Sequence, residues 1–364
     1  MRTPEIMSSS FESNKSTTMP AGGWIPSKAI ITGGHEVGGL TSFAESLSEG
    51  FTQLGIPSEV LQPMKILPRL KELRDPQVLK ILSTQAIFSA PFARSAICIT
   101  HGIPTAGVIG WKKFAGHLLA DFIANHSNGV QLATVSYYSA DLLRAVLGLR
   151  IDCVIHNPIR SCYLETPVVR ASECNLITYA GRLHPVKNLH LLLPAILDAL
   201  DRCPAMRACI IGDGPERARL EAIAAAHPRV DFTGAMNATA VRDRLRSTKL
   251  FISGCTTEAL GITYLEALSQ GCNVIMPAGG GGLEIALELI GGQIQLIPLS
   301  MERERITKAI LHSLAFDGQV IDVSNYSPKS RALAYIEAIR RFRLESVSDG
   351  SGRTPALTSP SQEA

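Results

Sequence analysis

The sequence is poor in the features that most directly declare a chemistry. Its eight cysteines, at 98, 153, 162, 174, 203, 209, 255 and 272, form no C-x-x-C pair, and several lie within apolar runs. That pattern argues against a disulfide framework or a cysteine-based zinc site and predicts reduced thiols in a cytosolic compartment. No apolar run approaches the roughly 18 residues that cross a bilayer, and the first residues contain no apolar core of a secretion signal. Charged side chains make up only 18% of the 364 residues, with a net charge of +3 and no dense Lys/Arg tract, which disfavours nucleic acid as a partner. Absent too are the G-x-G-x-x-G spacing of nicotinamide-binding turns, the G-x-S-x-G of hydrolases, and any Asp-x-Asp or His/Asp cluster with metal-ligand spacing. The expectation is a protein with no metal and no resident cofactor.

What the sequence does have is 46% hydrophobic residues and a length suited to two domains of about 150 residues plus tails. Residues 1–26 and 346–364 are rich in Ser, Thr, Pro and Gly and are expected to lack fixed structure. Between them, short apolar strands alternate with helical patterns: Lys28–Thr32, Ser58–Leu61, Ala96–Thr100, Leu132–Ser136 and Cys153–His156. The pattern lapses near Asn157-Pro158 and Thr166-Pro167. It resumes at Asn175–Ala180, Arg207–Ile211, Val230–Thr233, Lys249–Ser253 and Asn273–Pro277. Such alternation predicts an α/β protein of two doubly wound units, 27–160 and 165–325, with a linker at about 160–174 and a final helix at 326–345.

Sheets of this kind bind ligands at the carboxyl ends of their strands, so the loops that follow strands carry the argument. Gly38 and Gly39 precede a helical pattern from Thr41, where they either permit a tight turn or bring helix amides to an anion. His101, followed by Gly102, stands at the end of Ala96–Thr100, as a ligand contact or as a structural histidine. Ser136 reads as the cap of the helix Ser139–Leu147. In the second unit Arg182 and Lys187 bracket the loop after Asn175–Ala180, with Asn188 as the expected cap of the next helix. Pro215 suits the first turn of a helix over Glu216–Ala226.

The stretch around which the rest is organised is Ser253–Gly271, a strand end feeding a helix. Glu258 and Glu266 lie eight residues apart, one in the turn and one inside the helix, so they address different ends of one elongated ligand. A nucleotide sugar, with hydroxyls at both ends and a charged middle, has that shape, and each carboxylate can accept two hydroxyl donors. The plainer alternatives are a solvated loop residue for Glu258 and a capping box over Thr263–Glu266.

With these residues in place, 175–290 resembles the retaining glycosyltransferases of the GT-B fold, the group that includes bacterial mannosyl- and glucosyltransferases. The resemblance rests on Tyr179-Ala-Gly-Arg-Leu183 with Lys187-Asn188, Ile211-Gly-Asp-Gly-Pro215, Phe232-Thr-Gly234, Glu258-x7-Glu266, and Gly279–Gly282 with Glu284. Gly38-Gly39, His101-Gly102 and Asn157-Pro-Ile159 stand where that family has a glycine loop, a strand-end histidine and a domain-closing asparagine. By resemblance, Arg182 and Lys187 would meet the diphosphate, Glu258 the sugar and Glu266 the ribose, with His101 beside the transferred hexose and Gly38, Gly39, Gly261, Gly280 and Gly281 lining the donor. The same resemblance implies two Rossmann-like domains facing across a cleft, the final helix crossing back to the first, and metal-independent transfer with retention to a glycan or lipid-linked acceptor. Ala259 and Leu260 depart from the glycine and aromatic the family favours after its glutamate. The competing readings are a nucleotide-sugar epimerase and a catalytically silent relative that serves only to bind.

Two stretches of the first unit mix apolar and basic residues, Met64–Arg74 and Trp111–Phe114. They suit either a solvated face or transient attachment to an anionic membrane surface, which would place the protein at the inner face of the membrane.

Overall fold

Aliphatic and β-branched residues concentrate in segments too short for helices and bounded by glycine or polar turns, so they pair as fully buried strands of parallel sheets. The computed structural model describes residues 23–33, 39–102, 110–127, 129–165, 168, 173–225, 227–289 and 292–348. It contains two six-stranded sheets in which every pairing is parallel.

The first unit runs β1 (Lys28–Thr32), α1 (Gly39–Gln53), β2 (Ser58–Leu61), α2 (Leu70–Arg74), β3 (Val78–Ser83), β4 (Ala96–Thr100), α3 (Trp111–Asn125), β5 (Val130–Thr134), α4 (Tyr137–Leu147) and β6 (Cys153–Val154). Its strand order is β2-β1-β3-β4-β5-β6. The second unit runs β7 (Leu176–Ala180), α5 (Leu189–Arg202), β8 (Arg207–Ile211), α6 (Arg217–Ala224), β9 (Val230–Gly234), α7 (Ala238–Leu245), β10 (Thr248–Ile252), α8 (Ile262–Ser269), β11 (Asn273–Pro277), α9 (Gly282–Glu288), β12 (Ile294–Ile297) and α10 (Arg303–Leu314). Its order is β12-β11-β10-β7-β8-β9, so the chain reverses its direction of travel between β7 and β10. A reversal of that kind opens a crevice at the strand ends.

The last helix, α11 (Pro328–Ser348), lies against α1 of the first unit. Phe43, Leu47 and Phe51 share one buried cluster with Tyr335, Ile336 and Ile339. The two helices approach so closely that a Cβ on Gly50 would sit 2.1 Å from the carbonyl oxygen of Pro328. Trp24, within the stretch expected to lack structure, is held there too: its carbonyl accepts from Arg340 Nε at 3.0 Å and its ring lies under Arg343.

Several local details differ from the sequence reading. The strand expected at 132–136 occupies Val130–Thr134, and Ser136 lies beyond it as the cap of α4, as expected, accepting the Ser139 N–H at 3.0 Å. Asn188 precedes α5 in a left-handed conformation, and its side chain donates to the Gly254 carbonyl at 3.0 Å instead of capping the helix. α6 starts at Arg217, leaving Pro215 in the turn before it. β3, β12 and α10 were not foreseen.

Candidate functional site

The site is built from the loops that leave β7 and β10, the two strands flanking the reversal. After β7, Gly181 donates to Ile211 O at 3.0 Å and Leu183 to Asp213 O at 2.9 Å, which holds this loop backbone-to-backbone on the turn after β8. Gly212 and Gly214 make that approach possible. Both have positive φ, and a Cβ on either would fall 1.9 Å from Gly181 O or 2.3 Å from Leu183 O. Tyr179 Oη donates to Arg182 O at 2.9 Å, and the Arg182 side chain is exposed above the strand end. Lys187 closes a short 3-10 turn, Pro185–Lys187, one residue before α5.

Across the reversal, the segment after β10 brings Glu258 to Lys187. The Lys187 Nζ donates to Glu258 Oε2 at 2.6 Å and to Cys255 Sγ at 3.7 Å. Burial alone would draw the lysine's pKa down, but the adjacent Glu258 carboxylate and Cys255 outweigh it and raise it. Lys187 is therefore a fixed cation. An ammonium group has three N–H donors, and two are spent on these partners.

The glycine run closes on the same loop. Gly281 N donates to Glu258 O at 2.8 Å, and a Cβ on Gly281 would lie 1.9 Å from Ala259 O. Gly280, at φ +70, would carry its Cβ 2.8 Å from Glu258 O. Gly261 starts α8 at φ +87 against the ring of Tyr264. These three glycines thus let the segment carrying Glu258 nest against its neighbours.

Because α8 is preceded by Gly261, there is no capping box at Thr263, and Glu266 has no capping task. The residue is only 7% exposed, and burial raises its pKa to about 7, against an opposing pull from Arg160. No hydrogen bond reaches its carboxylate from any described residue. A buried carboxyl without donors is costly unless something supplies them. Arg160, missed in the sequence although it follows Asn157-Pro-Ile159, also donates to Ser42 Oγ of α1 at 2.5 Å. Cys255 was missed as well, since nothing distinguishes it from the other apolar-run cysteines until the fold sets it beside Lys187.

The first unit contributes the end of β4. His101 is half-buried, its ring edge-on against Phe43 with centroids 4.5 Å apart, and its buried Nε2 has no partner. Burial lowers its pKa to about 4, so the imidazole is neutral. Gly102, at φ +122, faces the second unit: a Cβ there would lie 3.2 Å from the Cβ of Ala259. Gly39 opens α1 in open space, with no atom within 4 Å of where a Cβ would sit, and Gly38 lies outside the described residues. Glu284, expected with the glycine run, points elsewhere: it bonds Tyr138 N at 2.6 Å and His156 Nε2 at 3.3 Å in the first unit. Among the described residues no group of three or more His, Cys, Asp or Glu side chains is arranged to hold a metal ion.

Parts of the chain are similar to known proteins. Residues 167–293 match the family model of glycosyl transferases group 1. The chain is 33% identical over 109 residues to the sulfoquinovosyl transferase SQD2 of Arabidopsis thaliana, covering 30% of this chain and 20% of that one. It is 30% identical over 137 residues to a GDP-mannose-dependent alpha-mannosyltransferase of Mycobacterium tuberculosis, covering 38% of this chain and 34% of that one. The chain thus aligns with only about a third or less of either relative. Among solved structures, Anabaena HepE in complex with UDP and glucose superposes with a TM-score of 0.59 at 16% identity, covering 89% of this chain and all of that one. The second half of the chain is thus similar to glycosyl transferases group 1 over residues 167–293, and the two sheets together have the GT-B fold.

Proposed function

We propose that this protein transfers a hexosyl group from a nucleotide-diphosphate sugar to a glycan or lipid-linked acceptor, with retention of anomeric configuration and without a metal ion. The observation that carries this reading is the Lys187–Glu258 pair at the strand reversal, 2.6 Å long, with an N–H of Lys187 unspent and the end of β4 facing it through Gly102. Breaking the bond between sugar and diphosphate builds negative charge on the leaving phosphate and positive charge on the sugar. Fixed cations are most valuable where charge develops. Lys187, kept protonated by Glu258, and the exposed Arg182 meet the leaving diphosphate. Glu258 faces the sugar, and the unpartnered Glu266 accepts the ribose hydroxyls. His101, neutral, stabilises the sugar without adding charge, while the acceptor attacks on the face the phosphate is leaving.

The test is incubation with a panel of nucleotide sugars, with and without a chelator, following release of nucleoside diphosphate. Slow, chelator-insensitive release from one donor is expected. Binding without release would indicate a silent relative, and interconversion of the sugar without release an epimerase; either would overturn the proposal.

A further inference from the structure

One face of the first unit stands out in composition and in exposure. α2, α3 and two 3-10 segments, Pro63–Ile66 and Thr84–Phe92, pack side by side over the sheet. Their inner residues Ile66, Leu73, Ile87, Ala120 and Ala124 enter one buried cluster with the strands, so their outer residues form a continuous surface. On α3 the outer positions Trp111, Ala115, Leu119 and Phe122 follow helical spacing within one narrow stripe. This stripe is apolar yet open to solvent, with Trp111 76%, Leu119 54% and Phe122 57% exposed. Phe88 and Phe92 are exposed on the segment beside it, and Met64 and Leu70 beyond that. The exposed aromatics elsewhere in the described chain are Tyr137 and Phe316, so the concentration on this face is not the ordinary scatter of surface apolar residues.

Charge has the same bias. Besides the buried Lys80, residues 63–94 and 110–126 contain seven lysines and arginines against three acids, whereas the whole chain has a net charge of +3. Of those acids Asp121 is buried and Glu72 is paired with Arg69. Lys65, Lys71, Arg74, Lys112 and Lys113 are exposed around the aromatics. Protein interfaces deplete lysine. Apolar side chains ringed by lysine and arginine suit a surface with an oily interior and anionic headgroups.

We infer that this face of the first unit seats on an anionic lipid surface, with Trp111, Leu119 and Phe122 inserted at the headgroup boundary and the surrounding cations on the phosphates. Two stretches separated by some forty residues of sequence become one surface because the segment Thr84–Phe92 lies between them. Among the described residues no helix is long and apolar enough to cross a membrane, so attachment is peripheral. The inference bears on the proposed transfer by placing the site beside a lipid-linked acceptor, yet it is tested without donor or acceptor and can fail independently.

The experiment is sedimentation of the full chain with vesicles of phosphatidylcholine, with or without phosphatidylglycerol, at low and high salt. Binding to the anionic vesicles, weakened by salt, is expected. Emission of Trp111, one of two tryptophans, should shift to the blue. Lys112→Glu with Lys113→Glu should reduce partitioning by about tenfold or more. Trp111→Ser with Phe122→Ser should reduce it at every salt concentration, while Leu191→Ser, at an exposed apolar position on α5 away from this face, leaves it unchanged. Circular dichroism confirms that the variants fold. Absence of binding at low salt, or binding indifferent to both double substitutions, would overturn the inference. So would a dimer that the same substitutions dissociate while vesicles remain unbound, since the face would then be a protein interface.

Discussion

Glu284 of the second unit accepts the backbone N–H of Tyr138 in the first at 2.6 Å. Tyr138 lies in the first turn of α4, whose amides have no intrahelical acceptor and whose dipole favours an anion. The other Glu284 oxygen meets His156, which stacks on Tyr326 with ring centroids 5.5 Å apart, and Tyr326 in turn donates to Glu288. Two glutamates of α9 thus tie the second unit to the first on one side of the cleft.

Glu284→Ala should cost about 1–3 kcal/mol by leaving the Tyr138 amide unsatisfied, and Glu284→Gln less, since an amide oxygen still accepts. The same loss should let the cleft open. Thermal unfolding and the radius of gyration from small-angle scattering check both, and an alanine variant unchanged in either would show that the clasp is incidental.

Arg182 and Lys187 should act on the chemical step, because the charge they face rises as the sugar departs. Arg182→Ala and Lys187→Ala are expected to lower kcat by about 10²–10³, by analogy with loss of an oxyanion donor. Lysine at position 182 should rescue only partly, lacking the planar fork. Ribose carries no changing charge, so Glu266→Gln should raise KM and leave kcat near its original value. Equal losses of kcat in all variants would show that the roles are divided wrongly.

Donor binding should depend on pH through Glu266. Its carboxyl titrates at about 7 in the free protein, and hydroxyl donors favour the ionised form. Affinity should therefore rise roughly tenfold from pH 6 to pH 8, with proton release on binding near pH 6. Stability runs the other way. An unfolded glutamate ionises near pH ~4.3, so the folded state holds the extra proton between there and 7, and stability falls as pH rises through that window. Calorimetry in buffers of different ionisation enthalpy measures the released proton, and Glu266→Gln should abolish both dependences.

Gly281→Ala should destabilise by about 1–3 kcal/mol and weaken donor binding, since its methyl would occupy a position 1.9 Å from Ala259 O and push the Glu258 segment aside. Gly39→Ala, with open space around it, should be nearly neutral in stability. Denaturant titration of the pair tells packing apart from a general intolerance of glycine replacement.

How legible the molecule was depended on whether a feature is local. Strand–loop–helix alternation placed Arg182, Lys187 and Glu258 at strand ends, and the strand order then set those ends side by side. β3 escaped notice because Lys80 interrupts its apolar run; the chain buries that lysine by donating Nζ to Asp75 O and Arg94 O, each at 2.5 Å, and burial lowers its pKa to about 8. α10 was hidden by its charges, of which Arg303 pairs with Asp198 on α5. Partners contributed from a distance, Arg160 beside Glu266 or Tyr138 beside Glu284, leave no periodicity in the sequence, since they exist only once the two sheets have docked.

The packing of α11 on α1 has a consequence for the order of events on the ribosome. The second unit can close one face of its sheet, from Ile177 through Leu250 to Ile310, as soon as α10 has emerged, while its other face, with Phe251, Leu265 and Met276, shares a cluster with the first unit. The first unit, though made earlier, keeps Phe43 and Phe51 uncovered until Tyr335, Ile336 and Ile339 arrive. At ordinary elongation rates the interval between β6 and those residues is roughly 10–40 s. α1, among the first elements synthesised, is therefore among the last to be covered, and during that wait its apolar face is the surface a chaperone would meet.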